Sequence, residues 1–262
     1  MQASAAMASD ALARFEFLDV EGDNHCFECT GSGKLRYYTE GVLQEPEAIV
    51  EATDDGYVIV KATGIAIFPL EEAFTAGALV LALHHCSASS SHHRLPALTA
   101  TRPSSIMHIE FLDDCGDLVC FDRGMSGQFS CSIQGDLKEE AWEVQTTEDG
   151  HILIQGNHRV MPAKGTPSAE VLVSLLLSCN VEALVQRAGL ALERISSSGS
   201  LSDMWEAITC SEHLGVDSRL INGSVQAVLS KSMQENSLED LRRAVAKAEQ
   251  CKVDETMILK GK

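Results

Sequence analysis

Shifted against itself by 94 residues, this 262-residue chain matches its own sequence. Glu16-Phe17-Leu18-Asp19 falls on Glu110-Phe111-Leu112-Asp113, Gly22-Asp23 on Gly116-Asp117, and Cys26-Phe27 on Cys120-Phe121. Gly33, Gly41 and Leu43 meet Gly127, Gly135 and Leu137, and Asp55-Gly56 meets Asp149-Gly150. Between residues 15–67 and 109–161, 17 of 53 positions are identical without a gap. Many others are conservative, such as Val58-Ile59-Val60 against Ile152-Leu153-Ile154. Self-similarity at a fixed spacing constrains a fold more than local propensity does, and here it reads as a duplication.

Within each copy the pattern is one of short strands between Gly and Asp turns. In the first copy strands are expected at residues 15–20, 25–30, 34–39, 48–53, 57–61 and 65–68, with hairpin turns at Gly31-Ser32-Gly33 and Asp54-Asp55-Gly56. The second copy runs the same way through residues 142–147 and 151–155. A helix then closes each unit, from Glu71 to about His85 in the first. In the second it starts near Thr166-Pro167-Ser168, where Thr before Pro reads as an N-cap followed by Pro at the first helical position. Such a helix covers one face of a sheet too small to bury itself.

From residue 180 the pattern is helical, with a helix expected over 181–195. A second self-match appears at a shift of 37: Ser200-Leu201 on Ser237-Leu238, Asp203 on Asp240, Val216-Asp217 on Val253-Asp254 and Ile221 on Ile258. Ser-x-x-Asp at each start resembles a capping box, and Asp217 and Asp254 are placed to cap the helices that follow. By this repeat the last helix should run past Lys262, so the chain is either naturally short there or a piece of a longer helical array. The expected division is a tail at 1–10, a first unit at 11–86, a Ser- and Pro-bearing linker at 87–107, a second unit at 108–180, and a helical tail at 181–262.

Composition narrows the class. With 45% hydrophobic and 22% charged residues the chain has enough apolar surface to fold. No apolar run approaches the roughly 20 residues of a membrane span, and residues 1–14 lack the basic start and apolar core of a signal peptide. Nine scattered cysteines read as reduced, mostly buried hydrophobes in a cytoplasmic protein. The net charge is −18, distributed as 4 − 14 = −10 over residues 1–87, 6 − 12 = −6 over 88–180 and 10 − 12 = −2 over 181–262. That balance opposes nucleic acid and anionic membranes and favours a basic partner.

Few constellations carry chemistry. Cys26 and Cys29 form a Cys-x-x-Cys, but the second copy has Cys120 and Arg123, and residues three apart on a strand face opposite sides. Cys26 and Cys120 are therefore expected to be equivalent core residues. His84-His85-Cys86 and His92-His93 put five nitrogen or sulfur ligands within ten residues, a set suited to zinc or copper; zinc is the one cofactor considered. The second copy has Ser178-Cys179-Asn180 in place of the first three. Asp19, Asp23, Asp113, Asp114 and Asp117 are explained by turn chemistry, and Gly31-Ser32-Gly33-Lys34 opens a strand rather than a helix. Tyr37, Tyr38, Trp142 and Trp205 are core or interaction candidates.

The expected fold is α+β: two tandem antiparallel β-meander units, each closed by a C-terminal helix, then an all-helical tail of hairpin repeats. The expected function is a non-enzymatic protein-interaction or scaffold role with a protein or peptide partner of basic character. The alternatives are a small-ligand or metal-binding module using the inter-unit cleft or the histidine cluster, and an enzyme with a site between the units. Catalytic residues are not identifiable.

Overall fold

The computed structural model describes residues 10–89, 92–96, 105–134, 139–140, 143–155, 158–235 and 238–250. The chain is mixed α+β, with antiparallel strands followed by a helical tail. The first segment contains β1 (Ala11–Leu18), β2 (Asn24–Thr30), β3 (Leu35–Thr39), β4 (Val42–Glu45), β5 (Val50–Ala52), β6 (Val58–Val60), β7 (Ile65–Ile67) and α1 (Ala76–His84). The second contains β8 (Ser105–Leu112), β9 (Leu118–Gly124), β10 (Phe129–Ile133), β11 (Glu139–Glu140), β12 (Val144–Thr146), β13 (Ile152–Ile154), β14 (His158–Val160) and α2 (Ala169–Leu177).

The two segments are not separate meanders. Their first four strands merge into one eight-stranded sheet of order β11-β10-β9-β8-β1-β2-β3-β4. The join is the antiparallel pair β1·β8, with Arg14 opposite Glu110, Phe15 opposite Ile109 and Glu16 opposite His108. The last three strands of each segment form separate sheets, β5-β6-β7 and β12-β13-β14. In the first segment the chain leaves the large sheet at Pro46, which has no N–H to continue a ladder.

Alternation along the strands sorts the side chains. Odd positions of the central strands (Phe15, Phe17, Phe27, Ile109, Phe111, Phe121) enter a core closed by Leu79 and Leu83 of α1 and by Leu172, Leu175 and Leu176 of α2. Phe74 meets Phe17 edge-on at 5.1 Å. Even positions carry Arg14, Glu16, Cys26, Glu28, His108, Glu110, Cys120 and Asp122 on the opposite face.

Several sequence expectations need adjustment. β4, β11 and β14 were not anticipated, and β8 begins at Ser105, inside the stretch expected to be linker. The β3–β4 hairpin turns through Glu40 (φ 49°) and Gly41 (φ 73°), a two-residue loop with both central residues left-handed. That turn type is signalled by Asn-Gly or Asp-Gly, and Glu at its first position hides it. α1 starts five residues later than expected, where the Thr75 hydroxyl accepts from the Ala78 N–H. The cap of α2 is Ser168, which accepts from Val171 N–H, while the Thr166 hydroxyl instead donates to the Ala163 carbonyl at 2.7 Å.

The two segments anchor their helices differently. Cys29, on β2, is joined by a disulfide to Cys86 just beyond α1. It is the one disulfide among the described residues, and it takes Cys29 and Cys86 out of the set of reduced cysteines that the sequence reading expects. The matching position on β9 is Arg123, buried, whose guanidinium donates to the carbonyls of Glu72, Ala73 and Leu176 at 2.8–2.9 Å. A fixed cation near the last turn of α2 also suits the helix dipole.

The tail forms a second compact unit with the turn at residues 125–128. It contains α3 (Val181–Ser198), α4 (Leu201–Leu214), α5 (Ser218–Glu235) and α6 (Leu238–Gln250). Ser200 and Asp203 close a reciprocal capping box on α4, as their spacing predicts, and Asp217 accepts from the Arg219 N–H at the start of α5. Ser237 and Asp254 lie outside the described residues. Leu192, Ile208, Val225, Val228 and Leu229 form the core of this unit. No single helix among the described residues is long and apolar enough to cross a membrane.

Two outcomes follow from the anchors. The disulfide closes a sequence separation of 57 residues, and loop-closure entropy puts its contribution at about 4 kcal/mol. Cys86→Ser should lower the unfolding free energy by about that amount in denaturant melts, and a reductant should lower the native chain equally but leave the variant unmoved. Arg123→Met strands three buried carbonyls and should cost about 2–4 kcal/mol by the same measurement.

Candidate functional site

The polar face of the large sheet is organised by strand register into two rows of directly opposed residues. One row runs Tyr38, Cys26, Glu16, His108, Asp122, Ser130. The other runs Arg36, Glu28, Arg14, Glu110, Cys120, Ser132. In each row the position beside the β1·β8 seam is a cation, Arg14 or His108, flanked by carboxylates. The face is partly roofed by the chain at residues 92–96: the Leu95 N–H donates to the Ala11 carbonyl, and Arg14 Nη2 donates to the Pro96 carbonyl at 2.8 Å.

Arg14 is 3% exposed and holds Glu28 at 2.8 Å and Glu110 at 2.5 Å. Burial alone would lower its pKa, but Glu110 and Glu28 outweigh that and raise it. His108 Nδ1 lies 2.7 Å from Asp122 and Nε2 lies 3.1 Å from Glu110. Burial opposes the imidazolium, yet the hydrogen bonds to Asp122 and Glu110 push the His108 pKa up to about 10. For Glu110, burial raises the pKa, but the His108 bond and the Arg14 charge hold it below the ordinary value. Burial raises the Glu16 carboxyl against the pull of His108 and Arg14. Burial, with Glu110 second, lifts the Cys120 thiol to about 12, and burial with Glu16 raises Cys26 well above its ordinary value.

The metal-capable group that results is His108, Glu110 and Cys120, whose nitrogen, oxygen and sulfur atoms all lie within 4.8 Å of one another. Two further groups, Asp19-Glu21-Asp23 and Asp113-Asp114-Cys115, are turns. Asp19 Oδ1 accepts from the N–H groups of Glu21 and Asp23, and Asp113 Oδ1 from those of Cys115 and Asp117, which is the turn chemistry the sequence implies.

The residues singled out from sequence fall elsewhere. Cys86 is not an available metal ligand, because its sulfur is bonded to Cys29. His84 Nε2 hydrogen-bonds the Val50 carbonyl at 3.1 Å, His85 caps α1, and His92 and His93 are exposed, with His93 packed over Gly116. None of them joins a metal-capable group among the described residues. Tyr37 is fully buried against Phe27, so it is core rather than interface. Tyr38 is half-buried and donates to Glu28 at 2.8 Å. Trp205 is buried beneath the Arg243 guanidinium, 4.3 Å from the ring centroid. Trp142 lies outside the described residues. Cys26 and Cys120 do occupy matching positions, but on the polar face rather than in the helix-covered core. A signal for this face was present, because Glu16 and Cys26 recur as Glu110 and Cys120 at alternate positions between apolar residues.

The second feature is the sheet edge. β4 is the last strand on its side, and Val42 and Leu43 are 61% and 47% exposed. Among the described residues no strand pairs with its outer side. Comparison with protein-family models, with curated proteins and with solved structures found no match for this chain.

The charge pattern of the polar face sets a pH response. His108 keeps its proton to about pH 10 when folded and releases it near 6.5 when unfolded. Its stabilisation is therefore complete below about pH 6.5 and is lost as pH rises toward 10. Glu110 acts oppositely, contributing above its ordinary value of 4.5 and losing that as pH falls. The buried thiols add their own loss only above about 9. In metal-free buffer, stability should decline from pH 6.5 to 9, and His108→Gln should flatten that decline. An unchanged slope in the variant would assign it to other groups.

Proposed function

We propose that the chain is a non-enzymatic protein-interaction module, made of two copies of one β unit and a helical adaptor, that pairs β4 with an extended basic segment. The observation that carries this is the outer edge of β4. An edge strand offers unpaired N–H and C=O groups, and proteins that avoid strand addition shorten, charge or cover such edges. β4 is short and ends in Glu45 before Pro46, but two apolar side chains, Val42 and Leu43, stand exposed along it. Glu40, Glu45 and Glu47 surround them, with Glu47 ion-paired to Lys34 in an exposed contact that contributes little. Strand addition uses backbone bonds for affinity and side chains for selection, and this acidic surround selects positive charge.

What supports the two-copy reading is the spacing of the elements. β8, β9, β10, β12 and β13 begin 94 residues after β1, β2, β3, β5 and β6. The β1·β8 register is centred on Phe15 opposite Ile109, two residues that are themselves 94 apart, so the pairing relates the segments by an approximate two-fold.

The test is a titration of the full chain with a labelled alternating Val/Lys peptide and with its Val/Glu counterpart, read by fluorescence anisotropy and amide hydrogen exchange. The Val/Lys peptide should bind in a salt-sensitive manner and slow exchange at residues 42–45. Val42→Lys with Leu43→Lys should weaken it about tenfold or more. Equal binding of both peptides, or protection confined to other strands, would sink the proposal.

A further inference from the structure

We infer that His108, Glu110 and Cys120 form a zinc site on the polar face of the sheet, a site independent of the β4 edge. The three residue types are a nitrogen, an oxygen and a sulfur donor of the kind Zn²⁺ accepts. Their spacing also fits. Ligands at about 2.0–2.3 Å from a tetrahedral ion lie about 3.3–3.8 Å from one another. The imidazole nitrogen and the Glu110 oxygen are 3.1 Å apart, and all three donor atoms lie within 4.8 Å of one another. Rotamer-scale adjustment brings them to the coordination distance.

What separates this group from an accidental cluster is that its members are held from behind. His108 Nδ1 is fixed by Asp122 at 2.7 Å, which turns Nε2 toward Glu110 and Cys120. A carboxylate bonded to the far nitrogen of a ligating histidine is a recurrent feature of zinc sites, where it sets the tautomer and ring orientation. Glu110 is held through Oε2 by the buried Arg14, which leaves Oε1 facing His108. Two of the three donors therefore have their remaining polar atoms occupied. The surrounding charge favours a cation as well: Glu16, Glu28, Glu110 and Asp122 stand against Arg14 and His108, so 4 − 2 leaves two carboxylates in excess on a mostly buried face. Arg36 at the rim is offset by Asp10 at 2.6 Å.

The register explains why this half of the face and not the other binds. His108, Glu110 and Cys120 stand 94 residues after Arg14, Glu16 and Cys26, so the carboxylate and the thiol recur in both segments while the histidine is matched by an arginine. A guanidinium cannot ligate a metal, and an imidazole can. The site needs one His, and the chain has it in one copy only. On binding, His108 gives its Nε2 proton and Cys120 its thiol proton to solvent. Three protein donors leave one coordination position open, the count seen where zinc keeps an exchangeable ligand.

The test uses the full chain with its disulfide intact, titrated with Zn²⁺ in competition with a chromophoric chelator, and separately with Co²⁺. One ion per chain should bind, and the Co²⁺ form should show thiolate-to-metal charge transfer. Cys120→Ser and His108→Gln should each weaken Zn²⁺ at least about a hundredfold, and Asp122→Asn about 10–100-fold. Cys26→Ser and a quadruple His84, His85, His92 and His93 to Ala variant should bind like the parent. Binding lost in the quadruple variant but kept in Cys120→Ser would overturn the site. So would a Co²⁺ spectrum of the native chain without a thiolate band, an outcome that requires no variant to fold.

Discussion

The pairing of β1 with β8 is the constraint on which the β-rich part of the molecule depends. A strand buried on both faces and both edges must have every backbone group bonded, and β1 meets that demand only because β2 lies on one side and β8 on the other. Without that pairing, β1 and β8 would each be an edge strand with unpaired N–H and C=O groups along one side. With it, Phe15, Phe17, Ile109 and Phe111 join one continuous core, closed by both helices. The same pairing sets Arg14 against Glu110 and Glu16 against His108. The polar face is thus a product of the seam and belongs to neither segment alone.

The two segments solve equal problems with different chemistry. Where the first ties β2 to the end of α1 with Cys29–Cys86, the second places the Arg123 guanidinium on three carbonyls. Where one cation position on the polar face is Arg14, the other is His108. A disulfide responds to redox state, whereas a guanidinium on carbonyls does not. An arginine beside carboxylates is a permanent ion pair, whereas a histidine exchanges its proton or accepts a metal. The differences at positions 94 residues apart leave the backbone path alike while changing what each half responds to.

Much of the framework was legible because strands write their environment at a period of two. Ala13-Arg14-Phe15-Glu16-Phe17 alternates, and Ile109-Glu110-Phe111 repeats the same phase at the same spacing. Short strands such as β6 and β13, apolar throughout and followed by turns, were likewise readable, as was the Ser200–Asp203 capping box. Two of the missed elements share a cause: β4 carries Gln and Glu and follows a Glu-Gly turn, and β11 is two glutamates, so neither shows an alternating hydrophobic pattern. The metal reading looked for ligands close together in sequence and so chose His84–His93. The donor-bearing residues that meet, His108 and Cys120, are 12 residues apart on two strands whose register brings Glu110 opposite Cys120.

The sequence by itself determined the alternation, the 94-residue periodicity, the acidic balance and the start of the helical tail, because each is a local or compositional property. Only the tertiary structure decided that the two β segments share a single sheet, that Cys29 meets Cys86, and that His108 is aimed at Glu110 by Asp122. Those outcomes depend on which strand edges find each other and which face is roofed. Backbone hydrogen bonding is alike for every residue but proline, so the choice of partner is made by the summed burial of the whole sheet rather than by any one residue type.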